Sequence, residues 1–489
     1  MPKKDYLTAT DFYRYSKCPH WPYYERFATK DEKKLKRALT DFEIKIMEDG
    51  VAHEERVVAS LFEEQSAVEA PQTKDAEKDF KATLKLMKQG APLIYQGTLT
   101  DKDWSGRPDL LERHEGTSAL GEWYYVPVDV KSTHHIHRYQ KMQLIFYSIL
   151  LDRIQRRFPN EPAIINNDGE RLSFEAREFM DKFEDNLQEL KKIRAGEIPD
   201  PVLRKACHDS GPWGAACEKL AKDKNDIALI YKLDVRKLAQ LREIGVRTVA
   251  DAVVMDPAIL DGAAPGLTMH GMEVAKMQAQ ALQNDAVFAR EPVYLPEEGL
   301  EIHFDIESDL PNDVDYLYGF LIRGEKGDEY KPFVAERLED EEKMWNEFLD
   351  WLETLPKKYT VYHYAPYEKH RLIVLENRYG GSKELERFRE NMLDLKVVSS
   401  KSVVFPLYFY GLKNIAKFLG FEWKGDVTGG GQSIEVFEKY LDTGDRALLD
   451  SIIQYNEEDV RATAHLKDWL VEYASERQGY ERPYPWSGG

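Results

Sequence analysis

The sequence predicts a multi-domain α/β protein, and three observations carry that expectation. At 489 residues the chain is far longer than one core needs, and about 150 residues per domain gives about three domains. Short β-patterned runs (Leu93 to Leu99, Pro108 to Arg113, Tyr124 to Lys131) lead into an apolar helix around Gln143 to Leu151. Two helix-breaking stretches, EIPDP at 197–201 and AREPVYLPEEG at 289–299, then interrupt the pattern. The expected domains are 1–200, a cysteine-bearing and helical middle segment at 201–292, and 293–489.

Composition bounds the functions. Apolar residues make up 42% and charged residues 32%, enough for packed cores and unlike a disordered chain. No apolar run is long enough for a membrane span, and MPKKDYLTATDFYRYSK lacks a signal-peptide core, so a cytoplasmic location without a membrane partner is expected. A formal net charge of -19 argues against a polyanion partner unless cations gather locally, as at Lys33 to Arg37, His134 to Lys141 and Arg153 to Arg157.

In the first domain four features follow in order: GVAHEERVV with His53, GRPDLL with Asp109, PVDVKS with Asp129 and Lys131, and QLIFYSILL with Gln143 and Tyr147. Asp129 and Lys131 are two apart on a strand and share a face, so a carboxylate and an ammonium point into one site. With Asp109 they make the set that phosphodiester hydrolysis needs, two hard oxygen ligands for Mg²⁺ or Mn²⁺ and a lysine for developing charge. His53 would add a nitrogen ligand. Gln143 and Tyr147, one helical turn apart, would face the Asp129 strand. The set resembles the RecB-like branch of the PD-(D/E)XK nucleases, which includes the CRISPR-associated adaptation exonucleases. That resemblance implies a restriction-endonuclease-like core over about 200 residues.

Many relatives in that branch carry one cysteine near the N-terminus and three after the nuclease core, together binding an iron–sulfur cluster. This chain has three: Cys18 in YSKCPHWPYY, and Cys207 and Cys217 in CHDSGPWGAAC, with Ser210 where another cysteine would be expected. Three thiolates leave a four-cysteine cluster in doubt. A structural zinc with His208 or another fourth ligand and three reduced, buried thiols are the remaining readings.

Farther on, Leu241, Ile244, Gly245, Val246, Thr248, Val249 and Ala252 pattern as helix, glycine hairpin and helix. This resembles helix-hairpin-helix modules, which offer backbone N–H groups to DNA phosphates. An ordinary helical connector fits the same pattern.

The last domain opens on EIHFDIES, where Asp305 and Glu307 share a strand face, and later IIQYNEEDVRATAHL puts Tyr455 and Asp459 on one helical face. Between them VYHYAPYEKHRLIVL offers Glu368, with Asp394 of MLDLKVV as the competing acid. FDIE and YNEED resemble the DEDD exonucleases of the RNase H-like superfamily. The resemblance implies two Mg²⁺ held by Asp305, Glu307 and Asp459 with a second-motif acid, a Tyr455 that positions water, and 3′ to 5′ polarity. LYFYGLKNIAKFLGF, with Leu412 and Lys413, resembles the stretch between the second and third motifs.

Both halves point to metal-assisted phosphodiester hydrolysis; the RecB-like half and the hairpin pattern favour DNA, single-stranded or from ends, with RNA as the alternative polymer. A RecB-like domain followed by an RNase H-like one is similar to the predicted RecB-family nucleases in helicase-less form. No GxxxxGK[ST] occurs, so any unwinding would fall to a helicase partner. The contrasting reading is an accessory module that binds nucleic acid with one or both sites degenerate.

Overall fold

A computed structural model describes residues 5–475 and 484–485, apart from 66, 74, 210, 297–298 and 325–326. The chain forms two compact units, Met1–Leu220 and Ala221–Gly489. The cysteine-bearing start of the expected middle segment thus lies in the first unit and its helical remainder in the second. No helix among the described residues is long and apolar enough to cross a membrane.

The first unit contains α1 (Ala9–Lys17), α2 (His20–Phe27), α3 (Asp41–Gln65), α4 (Arg138–Gln155) and α5 (Met180–Arg194). Its sheet runs β1 (Val68–Glu69), β2 (Leu93–Tyr95), β3 (Leu110–Ser118), β4 (Gly121–Val130), β5 (Ala163–Ile165) and β6 (Arg171–Ser173), in that spatial order. Only the β1–β2 and β4–β5 pairs are parallel. Neighbouring residues point to opposite faces, which sorts the strand side chains into two cores. Ile94, Leu111, Tyr125 and Ile164 pack with Leu144, Phe146 and Leu151 of α4. Leu93, Leu110, Val128 and Val130 pack instead with Val57 and Leu61 of α3.

The second unit begins with helices that include α6 (Val235–Glu243) and α7 (Val249–Val254), joined by a turn in which Gly245 has φ 91°. That left-handed conformation favours glycine. Thr248 then caps α7 by accepting from the Asp251 N–H.

A five-stranded sheet follows, made of β7 (Leu300–Asp309), β8 (Val314–Gly324), β9 (Gly327–Val334), β10 (Tyr359–His363) and β11 (Met392–Asp394), ordered β9-β8-β7-β10-β11. The β9-β8-β7 part is antiparallel, and β7, β10 and β11 are parallel. Ile302, Phe304 and Ile306 of β7 enter an aromatic core under α8 (Glu341–Glu353). Phe304 stacks on Phe320 at 4.6 Å and meets Phe348 and Phe388. The alternate residues of β7 are the polar ones, and α13 (Arg446–Ser475) packs against the strand. Before it come α9 (Tyr367–Tyr379), α10 (Leu395–Ser402), α11 (Leu412–Phe418) and α12 (Gly430–Thr443).

Phe304→Ala should therefore destabilise the second unit by about 3–5 kcal/mol, read as a lower urea midpoint for the transition that includes its aromatic signal.

Candidate active site

In the first unit, β4 delivers Asp129 and the segment before β3 delivers Asp109. The Asp109 carboxylate accepts from the Val130 N–H at 2.8 Å, and Asp129 accepts from the Asp109 N–H at 3.3 Å. Lys131 Nζ lies 3.0 Å from Asp109 and 3.6 Å from Asp129, tying the pair together. Burial, partly offset by Lys131, pushes the Asp129 carboxyl up to about 6. Burial alone would lower the Lys131 ammonium, but Asp129 and Asp109 hold it above its ordinary range.

Tyr147 of α4 is buried, and burial, then Asp129 and Asp109, raises its phenol well above the ordinary value. Gly106 lets the chain lie against this ring, since a Cβ there would stand 2.7 Å from Tyr147 Cε1. Gln143 is half-buried one turn earlier. His53 is buried on α3, and its Nε2 has no hydrogen-bond partner among the described residues. His53, Asp109 and Asp129 are not among the described donor groups close enough to share one ion. Sequence reasoning passed over Glu54, which accepts from Tyr95 Oη at 3.1 Å and whose charge reaches Lys131. Its only signal was adjacency to His53.

The three cysteines are free and buried. The side chains of His208 and Ser210 lie outside those described.

In the second unit β7 and α13 converge. Oxygens of Asp305, Glu307 and Asp459 all lie within 4.8 Å of one another. Burial, then Asp459, pushes Glu307 up to about 8. Burial, then Asp459, Glu307 and Glu368, raises Asp305 well above the ordinary carboxylate range. Asp459 is also raised by burial, against the pull of Lys413 and of hydrogen bonds from Tyr455 and Trp423. Trp423 Nε1 donates to Asp459 at 2.7 Å. Tyr455 is buried, with Lys413 Nζ 4.4 Å from its ring centre. Lys413 also lines a cavity of about 450 Å³ with Lys417, Phe421 and Trp423.

Glu368 and Asp394 differ in what they face. Glu368 is buried at the start of α9, 3.3 Å from His363 Nδ1, and its charge is felt at Asp305. Asp394 caps α10, accepting from the Lys396 N–H at 2.8 Å, and it also accepts from the Ala365 N–H at 3.0 Å. That second bond helps hold Ala365 at φ 77°, a left-handed conformation costly for a residue with a Cβ.

Residues 302–471 match the family model of the RNase_H superfamily. The second unit thus contains an RNase H-like domain, consistent with a nuclease. No curated protein matches the chain.

Several supports of the RNase H-like site were not read from the sequence. Fully buried Asn456 donates to Asp305 at 2.9 Å and accepts from Tyr330 Oη at 3.0 Å. It fits because Gly319 pairs with Asp305 across the sheet, and a Cβ at Gly319 would lie 1.5 Å from Asn456 Oδ1. Ser433 of α12 hydrogen-bonds to Glu307 and to Tyr316 Oη. YNEED contains Asn456 in plain view, but nothing local says that it turns inward. The donor set fits Mg²⁺ or Mn²⁺, being all carboxylate oxygen, with crowded like charges that a divalent cation would relieve.

Glu307 titrates near its ordinary 4.5 when unfolded and near 8 when folded, so the folded state keeps a proton across that window. Stability conferred by this group falls as pH rises through it. Calorimetry of the metal-free protein should show wild type losing stability relative to Glu307→Gln between about pH 5 and pH 8, with Mg²⁺ restoring wild type alone. Gly319→Ala should displace Asn456 and weaken Mn²⁺ binding about 10–100-fold, read by titration calorimetry.

Proposed function

We propose that the chain is a metal-dependent nuclease whose RNase H-like domain removes nucleotides from DNA ends, preferring single strands, with 3′ to 5′ polarity and RNA as the lesser substrate. The observation that carries this reading is the convergence of Asp305, Glu307 and Asp459, from a strand and a helix more than a hundred residues apart, beside Tyr455. Asp305, Glu307 and Asp459, with Glu368 as second-motif acid, would hold Mg²⁺ or Mn²⁺. The bound cation supplies Lewis acidity and a lower pKa for water.

The chain's own groups do the positioning. The Tyr455 hydroxyl orients the attacking water, and Asn456 and Trp423 fix the Asp305 and Asp459 carboxylates through the hydrogen bonds described. The Lys413 and Lys417 ammonium groups meet phosphate, while Phe421 and Trp423 give a terminal base something to stack on in the adjoining cavity. The two helices joined at Gly245 would act as a helix-hairpin-helix module, offering backbone N–H groups to phosphates.

For the first unit the proposal is a RecB-like second site, with Asp109 and Asp129 as ligands, Lys131 supporting developing charge, and Gln143 and Tyr147 facing it. A second reading makes this unit a nucleic-acid holding module. It is favoured by Lys131, whose ammonium group already bridges both acids and would compete with a metal ion for them.

End-labelled single-stranded and duplex DNA and RNA, incubated with Mg²⁺, Mn²⁺ or EDTA, test these readings. Asp305→Ala should abolish stepwise shortening, and Trp423→Phe should slow it about 10–100-fold. Lys131→Ala should remove a separate cleavage product on the two-site reading, or weaken binding alone on the holding reading. Undiminished shortening by Asp305→Ala would overturn the proposal.

A further inference from the structure

Cys18 and Cys217 are 199 residues apart in sequence, yet their sulfurs lie 3.8 Å apart in the first unit. Cys207 lies in the same buried cluster, its Sγ 3.8 Å from the Lys17 carbonyl. Two residues beyond Cys18, His20 is fully buried at the start of α2. Its Nε2 lies 3.0 Å from the Pro199 carbonyl, while its Nδ1 is buried without a hydrogen-bond partner among the described residues. A ligand atom from each of Cys18, His20 and Cys217 falls within 4.8 Å of the other two.

These distances discriminate between the available chemistries. The sulfurs are too far apart for a disulfide, whose bond is about 2.05 Å. Two thiolates on one tetrahedral zinc, each about 2.3 Å from the ion, stand about 3.8 Å apart, which is the separation of Cys18 and Cys217. A four-iron cluster puts each thiolate on a different iron and takes four of them, whereas the chain has three cysteines in all. Donation from Nε2–H to the Pro199 carbonyl selects the tautomer whose lone pair is on Nδ1. A backbone carbonyl is a common anchor for a histidine that ligates zinc. Trp213, Tyr24 and Ala216 close the surroundings with apolar surface.

We infer that Cys18, His20, Cys207 and Cys217 form a tetrahedral structural zinc site that clasps the N-terminal segment to residues 199–217. Cys18, His20 and Cys217 already stand within 4.8 Å of one another, and Cys207, which lies outside that group, closes on them as the fourth ligand when the ion binds, leaving no position for substrate.

The test is the metal content and spectrum of the full-length protein purified without oxygen. The expected result is one equivalent of zinc in colourless protein. Exchange with Co²⁺ should give the visible bands of a tetrahedral thiolate site. His20→Ala should lower zinc content to about a tenth or less and reduce the thermal midpoint of the first unit, while His20→Cys should restore both. The Co²⁺ spectrum of the wild type serves even if His20→Ala fails to fold. Stoichiometric iron with acid-labile sulfide, or metal-free protein that neither takes up Co²⁺ nor loses stability on chelation, would overturn the assignment.

Discussion

Carboxylates forced together out of water govern the organisation of the second unit. Asp305, Glu307 and Asp459 repel one another, and burial compounds the cost. Such a cluster persists only where surrounding structure over-determines it. Phe304 and its neighbours anchor one face of β7 in a stacked aromatic core, leaving the acids no alternative register. On the other face, Asn456, Ser433, Trp423 and Lys413 each give a carboxylate a donor or a positive charge. The site trades stability for poised charge, a common cost of catalytic arrangements.

Local irregularities serve the same end. The β7–β8 register shifts between Glu307 and Ser308, next to one of the acids, and such breaks in a ladder re-aim side chains near active sites. The left-handed Ala365 ties Asp394 to the turn that leads into α9, so two acids with similar sequence credentials take different work. Asp394 is occupied by backbone N–H groups, whereas Glu368 lies beside His363 and adds its charge to those that raise Asp305.

What the sequence made legible was local and periodic. Asp305 with Glu307 and Asp129 with Lys131 could be read because a strand repeats every two residues, and Tyr455 with Asp459 because a helix repeats every 3.6. The strands near Leu110 and Tyr124 and the helix over Gln143 to Leu151 were visible for the same reason, with displaced ends, whereas the run expected from Leu93 to Leu99 breaks at Gln96 (φ 50°) into strands of two different sheets. Relations between distant segments were hidden. Gly319 reads as an ordinary strand glycine until its partner across the sheet is known to be Asp305, and His20 as one histidine among 12 until Pro199 and Cys217 come to meet it. Cys18, Cys207 and Cys217 could be counted, but spacing alone could not bring the first to the last.

The meeting of Cys18 with Cys217 also bears on how the chain is made. Contacts between the first helices and residues 199–217 are among the most non-local in the first unit. A ribosome supplies about 5–20 residues each second, so the N-terminal helices emerge many seconds before the segment that secures them. During that interval Tyr24 and Cys18 lack the surface that later covers them, as Trp213 and Ala216 have not been synthesised. The packing of the first helices is therefore completed only once residues 199–217 have been made.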